Sequence, residues 1–373
     1  MPAPAGGEIE RFLARAMRGD AAWPAGIPAA AVLEAGAFEG VLPLLFHACH
    51  GAAGWRDWPD SLRTALQEAA RLHASIELAS RRETSAVLDA LAARGIEALI
   101  LKGGALAHVA YPEPWLRTRG DTDLLVRPEA RGAAFEVLER LGHARADSAG
   151  GELASSEASF GKTGAALPLD LHWRVNNSPL LSPLFDFDEL RARAQPLPAL
   201  GPHARGPGRV DATLLAAVHR ATHHQMPVHA EGRSHRGDRL IWLYDLHLLV
   251  PALAPAQRAE LAARAAEHRV AGLCLDAFRA TYAAFGTSLP ADLEQGLDRA
   301  AARDEPSMVF LRGGRRGLLL AELRALPWRE RARWLGEHAL PPGDYMLRKY
   351  GTRRRWLLPA LYVRRAFGWL ARQ

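Results

Sequence analysis

Hydrophobic residues recur along this chain with a helical period in some segments and as short, unbroken runs in others. Residues 8–90 carry apolar side chains at helical spacing, most clearly from about residue 60 to residue 92. Two short apolar runs, residues 96–101 and 124–126, are typical of buried strands. Helical spacing returns over residues 128–141. The pattern predicts helices first and then a compact mixed α/β unit.

The second half of the chain contains its own boundaries. Residues 152–160 and 165–175 predict a hairpin whose turn is Gly161-Lys162-Thr163-Gly164. A Pro- and Gly-rich stretch follows, a helical pattern covers residues 212–302, and Pro341-Pro342-Gly343 interrupts the chain. We therefore expect five segments: an N-terminal helical region (1–92), an α/β core (93–195), a Pro/Gly linker (196–210), a C-terminal helical domain (211–340) and a basic tail (341–373).

Carboxylates stand at the start of the second apolar run. Residues i and i+2 of a strand share a face, so Asp121 and Asp123 place two like charges side by side. Mg²⁺ is the natural counter-ion, because it binds one or two carboxylates together with substrate phosphates. Asp170 lies in a later apolar run, where a carboxylate needs a partner.

A glycine pair, Gly103-Gly104, ends the first apolar run and precedes a helical stretch. Glycine lets backbone amides approach phosphate oxygens, and the positive end of a helix favours an anion. We expect a side chain at Gly104 to occupy the space of the phosphate oxygens. For Lys102, phosphate binding and a solvated turn both remain open.

These motifs resemble a known family. Leu101-Lys102-Gly103-Gly104-Ala105, followed by Arg119-Gly120-Asp121-Thr122-Asp123, is similar to the uncharacterised bacterial nucleotidyltransferases of the polymerase-β-like superfamily. The resemblance is close over residues 96–175 and weaker towards the C-terminus. It implies an α+β fold, with a small mixed-sheet polymerase-β-like core flanked by N- and C-terminal helical regions. Many members have Gly-Ser at the phosphate turn, whereas in this chain the backbone amides must supply the phosphate contacts, with or without Lys102.

The resemblance also implies an activity, in which the NMP of an NTP, with ATP a candidate, is transferred to an unidentified acceptor and pyrophosphate is released. The acceptor is a small molecule, a peptide or protein side chain, or an RNA end. The cofactor would be two Mg²⁺ ions, with Mn²⁺ as a substitute. The metal and catalytic residues would be Asp121, Asp123 and Asp170, and Asp170 binds the second metal or accepts the acceptor's proton. The nucleotide would contact Lys102, Gly103, Gly104, Arg119 and His172.

Several side chains have a second interpretation. Arg119 holds the pyrophosphate or pairs with Asp121, and Arg117 stays open between the same two roles. His172 touches substrate, orients a carboxylate or makes a structural hydrogen bond. The helical His219, His223 and His224 lack an evident third metal ligand, so we expect packed histidines facing the cleft. Asp245 is expected to pair with an arginine or histidine across the helical domain.

Two other functions fit parts of the pattern. A metal-dependent glycosyltransferase also uses Asp-x-Asp to hold a nucleotide sugar, but it explains the short path from glycine pair to carboxylates poorly. A non-catalytic nucleotide-binding protein on the same scaffold would not need all three carboxylates. Nucleotidyl transfer is therefore the leading hypothesis.

Composition limits the cellular setting. Of 373 residues, 49% are hydrophobic and 24% charged, as in ordinary globular proteins. Charged residues interrupt both a secretory signal and any membrane-spanning run, so we expect a cytoplasmic protein without integral membrane association. Cys49 and Cys274 lie too far apart in sequence to suggest a disulfide framework or a cysteine-based zinc site.

The net charge of +6 is concentrated at one end. Residues 341–373 hold eight Arg and Lys residues against the single acid Asp344, which leaves the remainder close to neutral. We expect this tail to pack on the body through its apolar residues, with membrane-surface or RNA contact as the alternative. Those residues are Trp356, Leu357, Leu358, Leu361, Tyr362 and Trp369.

Overall fold

The computed structural model describes residues 6–146, 151, 153–225, 228–230, 233–235, 237–301 and 306–370. Its N-terminal part is helical, as the apolar spacing predicts. The helices are α1 (Gly6–Ala16), α2 (Ala29–Glu39), α3 (Leu42–Cys49) and α4 (Asp60–Ala92).

Helix α4 is the long support for the site. Its buried positions recur every three or four residues, and they are apolar at both ends of the helix, from Leu62 to Ala70 and from Val87 to Leu91. The same buried stripe is polar in the middle, at Glu77, Ser80 and Thr84. Buried polar groups need partners, and the sheet beside α4 supplies them.

The sheet has five strands in the order β1-β2-β5-β4-β3. Strands β2 and β5 are parallel, and the other neighbours are antiparallel. The predicted strands and the predicted hairpin β4–β5 are confirmed. Their bounds are β1 (Ala98–Ile100), β2 (Thr122–Val126), β3 (Ala144–Arg145), β4 (Glu157–Gly161) and β5 (Leu169–His172), with helices α5 (Lys102–Val109) and α6 (Arg131–Arg140) between them.

Alternate residues of each strand point to opposite faces of the sheet, and helices cover both faces, so a hydrophobic core forms on each side. Leu124 and Val126 pack with α4 and α6, whereas Leu125 packs with the C-terminal helices. This arrangement explains why residues 96–101 and 124–126 are apolar on both faces. Asp123 lies on the same face of β2 as Leu125, and this face carries the site described below.

The Pro- and Gly-rich stretch is folded rather than loose. After α7 (Phe187–Ala192), the strands β6 (Gln195–Pro196) and β7 (Arg205–Gly206) pair. Between them, Leu197, Leu200 and Ala204 are buried in the same cluster as the sheet and α4. Proline and glycine form a tight hairpin against the core here, so the segment is part of the fold although its composition is typical of a linker. The expected boundary at residue 211 falls inside the next helix.

Where it is described, the C-terminal half is helical apart from one hairpin, β8 (Val228–Ala230) with β9 (Arg233–His235). Within the described part of the chain, no single helix is long and apolar enough to cross a membrane. Helices α2 and α3 reach that length and apolarity only when they are counted together, and they are bent by 116° relative to each other. The helices are α8 (Arg209–Gln225), α9 (Leu240–Leu249), α10 (Pro255–Glu267), α11 (Ala271–Phe285), α12 (Ala291–Ala301), α13 (Val309–Arg312), α14 (Gly314–Ala325), α15 (Trp328–Ala339), α16 (Gly343–Lys349) and α17 (Leu358–Leu370).

The basic tail packs around a cluster of its own residues rather than on the body as expected, and one of its large apolar side chains is left out of that cluster. Leu361 is buried with Met346 and Leu347, and Leu357, Leu358 and Tyr362 pack against this small cluster. Trp356, in contrast, is 72% exposed. The Trp369 side chain lies outside the described part of the chain. The tail therefore folds around its own small core and leaves a large aromatic side chain in solvent.

Candidate active site

Parallel pairing of β2 with β5 brings two of the predicted carboxylates together. Asp123 and Asp170 are direct partners in the register, and Asp121 immediately precedes β2. All three line a cavity of about 720 Å³ between the N-terminal helices and the sheet, to which Lys102, Gly103 and Arg119 also contribute. The structure thus places the residues predicted from three sequence segments around one cavity.

The buried Asp123 carboxylate has two basic partners. Its Oδ1 lies 2.6 Å from Lys102 Nζ and 2.8 Å from His172 Nε2. Burial alone would raise its pKa, but these two partners hold the pKa of Asp123 well below its usual range. The same ion pair raises the pKa of Lys102 despite its burial. In the metal-free protein, Lys102 therefore serves as the counter-ion of Asp123.

Asp121 and Asp170 are not compensated in this way. Burial, together with the charge of Asp123, raises the pKa of Asp121 to about 7. Burial also raises the pKa of Asp170. Asp170 Oδ1 is buried and has no hydrogen-bond partner among the described atoms. Two carboxylates that lack a cation, one with an orphaned oxygen, match the donors that Mg²⁺ prefers.

The donors are not pre-arranged around a metal. In the ranges that the structure describes, no three His, Cys, Asp or Glu side chains are grouped to hold an ion. Asp123 Oδ1 is instead engaged by Lys102 and His172. The chemistry of the site thus fits Mg²⁺, although Lys102 and His172 both engage Asp123 Oδ1 in the metal-free protein.

Helix α5 begins at the same cavity. Leu101 is its N-cap, and Ala105 donates the first i→i−4 hydrogen bond to the Leu101 carbonyl. The amides of Lys102, Gly103 and Gly104 precede that bond, so they are the helix N-terminal donors that an anion can accept. Lys102 has φ +46°, an uncommon conformation for a residue with a side chain. Such strain is typical of functional sites.

The two glycines face different surroundings, and the expectation for Gly104 is wrong. A Cβ on Gly104 would lie 3.0 Å from Ile100 Cγ2 and 3.8 Å from Thr122 Cγ2, inside the sheet. A Cβ on Gly103 would lie 3.3 Å from Arg117 Nη1 and 3.4 Å from Arg119 Cβ, at the cavity wall. Gly104 therefore permits close packing of α5 on the sheet, whereas Gly103 borders the space for phosphate.

We expect Gly104→Val to lower the free energy of unfolding by about 1–3 kcal/mol, because a branched side chain overpacks the α5–sheet contact. Gly103→Val should cost less stability but weaken binding of a non-hydrolysable Mg²⁺·NTP more strongly. Thermal denaturation compares the stability of the two variants, and calorimetric titration compares their affinity for the non-hydrolysable Mg²⁺·NTP. The opposite ranking would show that the assignment of the two glycines is reversed.

The two arginines before the aspartates already have partners. Arg119 Nη1 lies 2.6 Å from Glu77 Oε2, and its Nη2 donates to Ser80 Oγ at 3.0 Å. The alternative pairing of Arg119 with Asp121 is not what the structure shows. Pyrophosphate binding by Arg119 remains a prediction, for a guanidinium that is fixed in place by α4.

Arg117 belongs to a buried network with α9. It binds both oxygens of Asp245, at 2.7 and 2.8 Å, and Tyr111 donates to the same carboxylate at 2.7 Å. The expected pairing of Asp245 with an arginine or histidine is confirmed. Its partner comes from the core rather than the helical domain, so this pair fixes α9 beside the cavity.

The histidines separate into two groups. His223 stacks on Trp242, with ring centroids 4.8 Å apart, and His219 meets both rings edge-on. Both histidines line the cavity, as expected, and burial lowers the pKa of His219 well below its usual value. His224 instead lies 2.9 Å from Asp238 Oδ1.

Several site residues escape sequence reasoning. Glu157 on β4 lies 3.2 Å from His172 Nδ1, an ion-pair distance without hydrogen-bond alignment. Glu77 and Ser80 hold Arg119 from a helix that precedes the motif. The only sequence signal for them is their polarity within the buried stripe of α4. Trp242 gives no signal beyond an apolar helix.

The small mixed sheet, the flanking helices and the paired carboxylates together define a nucleotidyltransferase-type α+β protein. A family model described as "Uncharacterised nucleotidyltransferase" matches residues 26–286, well over half of the chain. The chain belongs to this family, and the predicted resemblance is confirmed. It is accordingly a transferase whose substrate is an NTP. No match is found among the curated proteins.

Proposed function

We propose that this protein transfers NMP from an NTP to an acceptor in a Mg²⁺-dependent reaction that releases pyrophosphate. The observation that carries the proposal is the cluster of Asp121, Asp123 and Asp170, in which Asp170 Oδ1 is buried without a partner among the described residues. The family supports nucleotidyl transfer over the alternative of a glycosyltransferase. The intact carboxylate set argues against a purely binding role.

Asp121, Asp123 and Asp170 would hold the metal, two ions by analogy with the superfamily and Mn²⁺ as a substitute. Bound there, Mg²⁺ would supply charge neutralisation of the triphosphate and polarisation of its α-phosphate. The α5 amides of Gly103 and Gly104 would donate to phosphate oxygens. Lys102 is on the first turn of the same helix, so its ammonium is within reach of the triphosphate.

Asp170 is the residue we assign to the acceptor's proton. The acceptor oxygen or nitrogen forms a bond to the α-phosphorus, its proton moves to Asp170, and the bond from the α-phosphorus to the bridging oxygen breaks, which releases pyrophosphate. In the metal-free protein, burial raises the pKa of Asp170, which is the direction that favours a carboxylate taking up a proton. His172 is a positioning residue, since its Nε2 fixes Asp123.

A second cavity of about 290 Å³ adjoins the first and shares Lys102, Gly103, His219 and Trp242 with it. Its other walls are largely apolar side chains of α5 and α8, such as Leu106 and Leu215. We assign the reacting part of the acceptor to this cavity. Its volume suits a group the size of a small metabolite, a single amino-acid side chain or one nucleotide end.

Asp170→Asn tests the proposal. We expect nucleotidyl transfer to fall by about 10²–10⁴-fold, because the proton acceptor is lost, and Mg²⁺·NTP affinity should fall as well, because Asp170 is one of the proposed metal ligands. The assay compares NTPs labelled at the α- and γ-phosphate in a cell lysate that contains the acceptor. Label should reach the acceptor from the α position only.

Asp89→Asn is the matched control, since Asp89 is exposed on α4. It should transfer label at the wild-type rate. Transfer of the γ label would identify a phosphotransferase instead, and wild-type transfer by Asp170→Asn would remove Asp170 from the mechanism.

A further inference from the structure

Positive charge is concentrated in a C-terminal segment that is longer than the basic tail alone. Residues 312–373 contain fifteen Arg and Lys residues and four acids, an excess of +11. Because the whole chain carries +6, residues 1–311 carry −5. This basic segment lies beyond residue 286, where the family match ends. The cation-rich part is therefore separate from the nucleotidyltransferase core in sequence.

The outer face of α17 is apolar. Pro359, Ala360, Val363 and Ala366 are all exposed and follow each other at helical spacing, and the exposed Trp356 lies in the short 3-10 turn just before α17. Trp356 and Val363 are 72% and 55% exposed. The opposite side of the helix, with Leu361, faces the tail's own cluster. A helix in water normally shows its polar side to solvent, whereas this helix exposes several apolar residues together with Arg364.

Basic residues surround this face. Arg353 and Arg354 precede Trp356 and are exposed, and Arg364 flanks Val363 on the helix. An apolar helix face bordered by arginines is the pattern of a helix that lies in a membrane interface. Tryptophan is the side chain enriched at that depth. The positive charge complements the negative surface of membranes that contain anionic lipids.

We propose that α17, with Trp356, docks this protein on an anionic lipid surface. RNA would also attract the arginines and could stack one base on Trp356, but Pro359, Ala360 and Val363 offer no ring for a second base. Lipid acyl chains accept such aliphatic side chains directly. The contact is peripheral, consistent with the lack of a spanning helix in the described residues. It would hold the transferase close to acceptors at a membrane.

Co-sedimentation of the full-length protein with phosphatidylserine/phosphatidylcholine vesicles tests this inference. We expect binding that weakens steeply from low to high salt, and little binding to pure phosphatidylcholine. Trp356→Ser/Val363→Asp should weaken binding by about tenfold or more, because a charge enters the apolar face. Arg353→Glu/Arg354→Glu should have an effect of similar size through the surface potential.

The control is Trp328→Ser, which removes an equally exposed tryptophan, 74% accessible, from α15. It should bind like the wild type, and all variants should keep the wild-type melting temperature because the changed side chains are in solvent. Absence of vesicle binding would overturn the proposal. So would equal binding to neutral vesicles, unchanged binding by Trp356→Ser/Val363→Asp, or a stronger affinity for RNA than for vesicles at the same salt concentration.

Discussion

Asp123→Asn and Asp121→Asn are expected to change the stability of the metal-free protein in opposite directions, although both abolish nucleotidyl transfer. Asp123 is the partner of Lys102 and His172. Its loss removes the carboxylate that is hydrogen-bonded to a partly buried ammonium, and we expect a cost of about 2–4 kcal/mol. If Asp121 and Asp123 only repelled each other, removing one charge would cause no loss of stability. The ion pair of Asp123 with Lys102 contradicts that simpler view.

Asp121→Asn should instead stabilise the metal-free protein, on the order of 2 kcal/mol at neutral pH. The folded-state pKa of Asp121 is raised from 3.8 to about 7, so the folded protein binds this proton more tightly than the unfolded chain. Its contribution to stability is complete below about pH 4 and is lost as the pH rises to 7. The variant should show a flatter stability profile across that window.

Chemical denaturation of both variants and the wild type, in the presence of a chelator and across this pH range, measures the difference. Asp89→Asn controls for removal of an exposed carboxylate. If both site variants were stabilised, Lys102 would not be the counter-ion of Asp123. If both were destabilised, Asp121 would have a partner that this account omits.

Lys102→Met is expected to separate metal binding from triphosphate binding. Lys102 Nζ lies 2.6 Å from Asp123 Oδ1, an oxygen of a carboxylate that we propose as a metal ligand. Without the ammonium, Mg²⁺ no longer competes for this oxygen, so its affinity should rise several-fold. The affinity for the NTP should fall, because one phosphate contact is lost. Calorimetric titration with Mg²⁺ alone and then with a non-hydrolysable NTP measures both.

Lys162→Met is the matched control. Lys162 Nζ lies 2.8 Å from Glu83, in a lysine–carboxylate pair outside the site. It should leave both affinities unchanged. Metal affinity that stays constant or falls in Lys102→Met would show that the lysine does not compete with the metal.

Periodicity in the sequence predicts much of this fold. Helix α4 begins at Asp60 and ends at Ala92, as the apolar spacing indicates. The strands and the β4–β5 hairpin follow from short apolar runs and a Gly-rich turn. These features depend on local side-chain spacing, which a single sequence contains in full.

The electrostatic partners could not be predicted, because they are distant in sequence. Lys102 and Asp123 are 21 residues apart, Arg119 and Glu77 are 42 apart, and Arg117 and Asp245 are 128 apart. The sequence contains the residue types, but it does not show which of them are in contact. The direction of a side chain is equally hidden, as Gly104 and Trp356 show. Gly104 faces the sheet rather than phosphate, and Trp356 faces solvent rather than the core.

The dependence of NTP binding on Mg²⁺ and on Asp123 tests the central claim most directly. Calorimetric titration of the wild type with a non-hydrolysable NTP should show binding with Mg²⁺ and little binding with a chelator. Asp123→Asn should lose the effect of Mg²⁺. Equal affinity of the wild type with and without Mg²⁺, or an unchanged Mg²⁺ effect in Asp123→Asn, would contradict the carboxylate metal site on which this account rests.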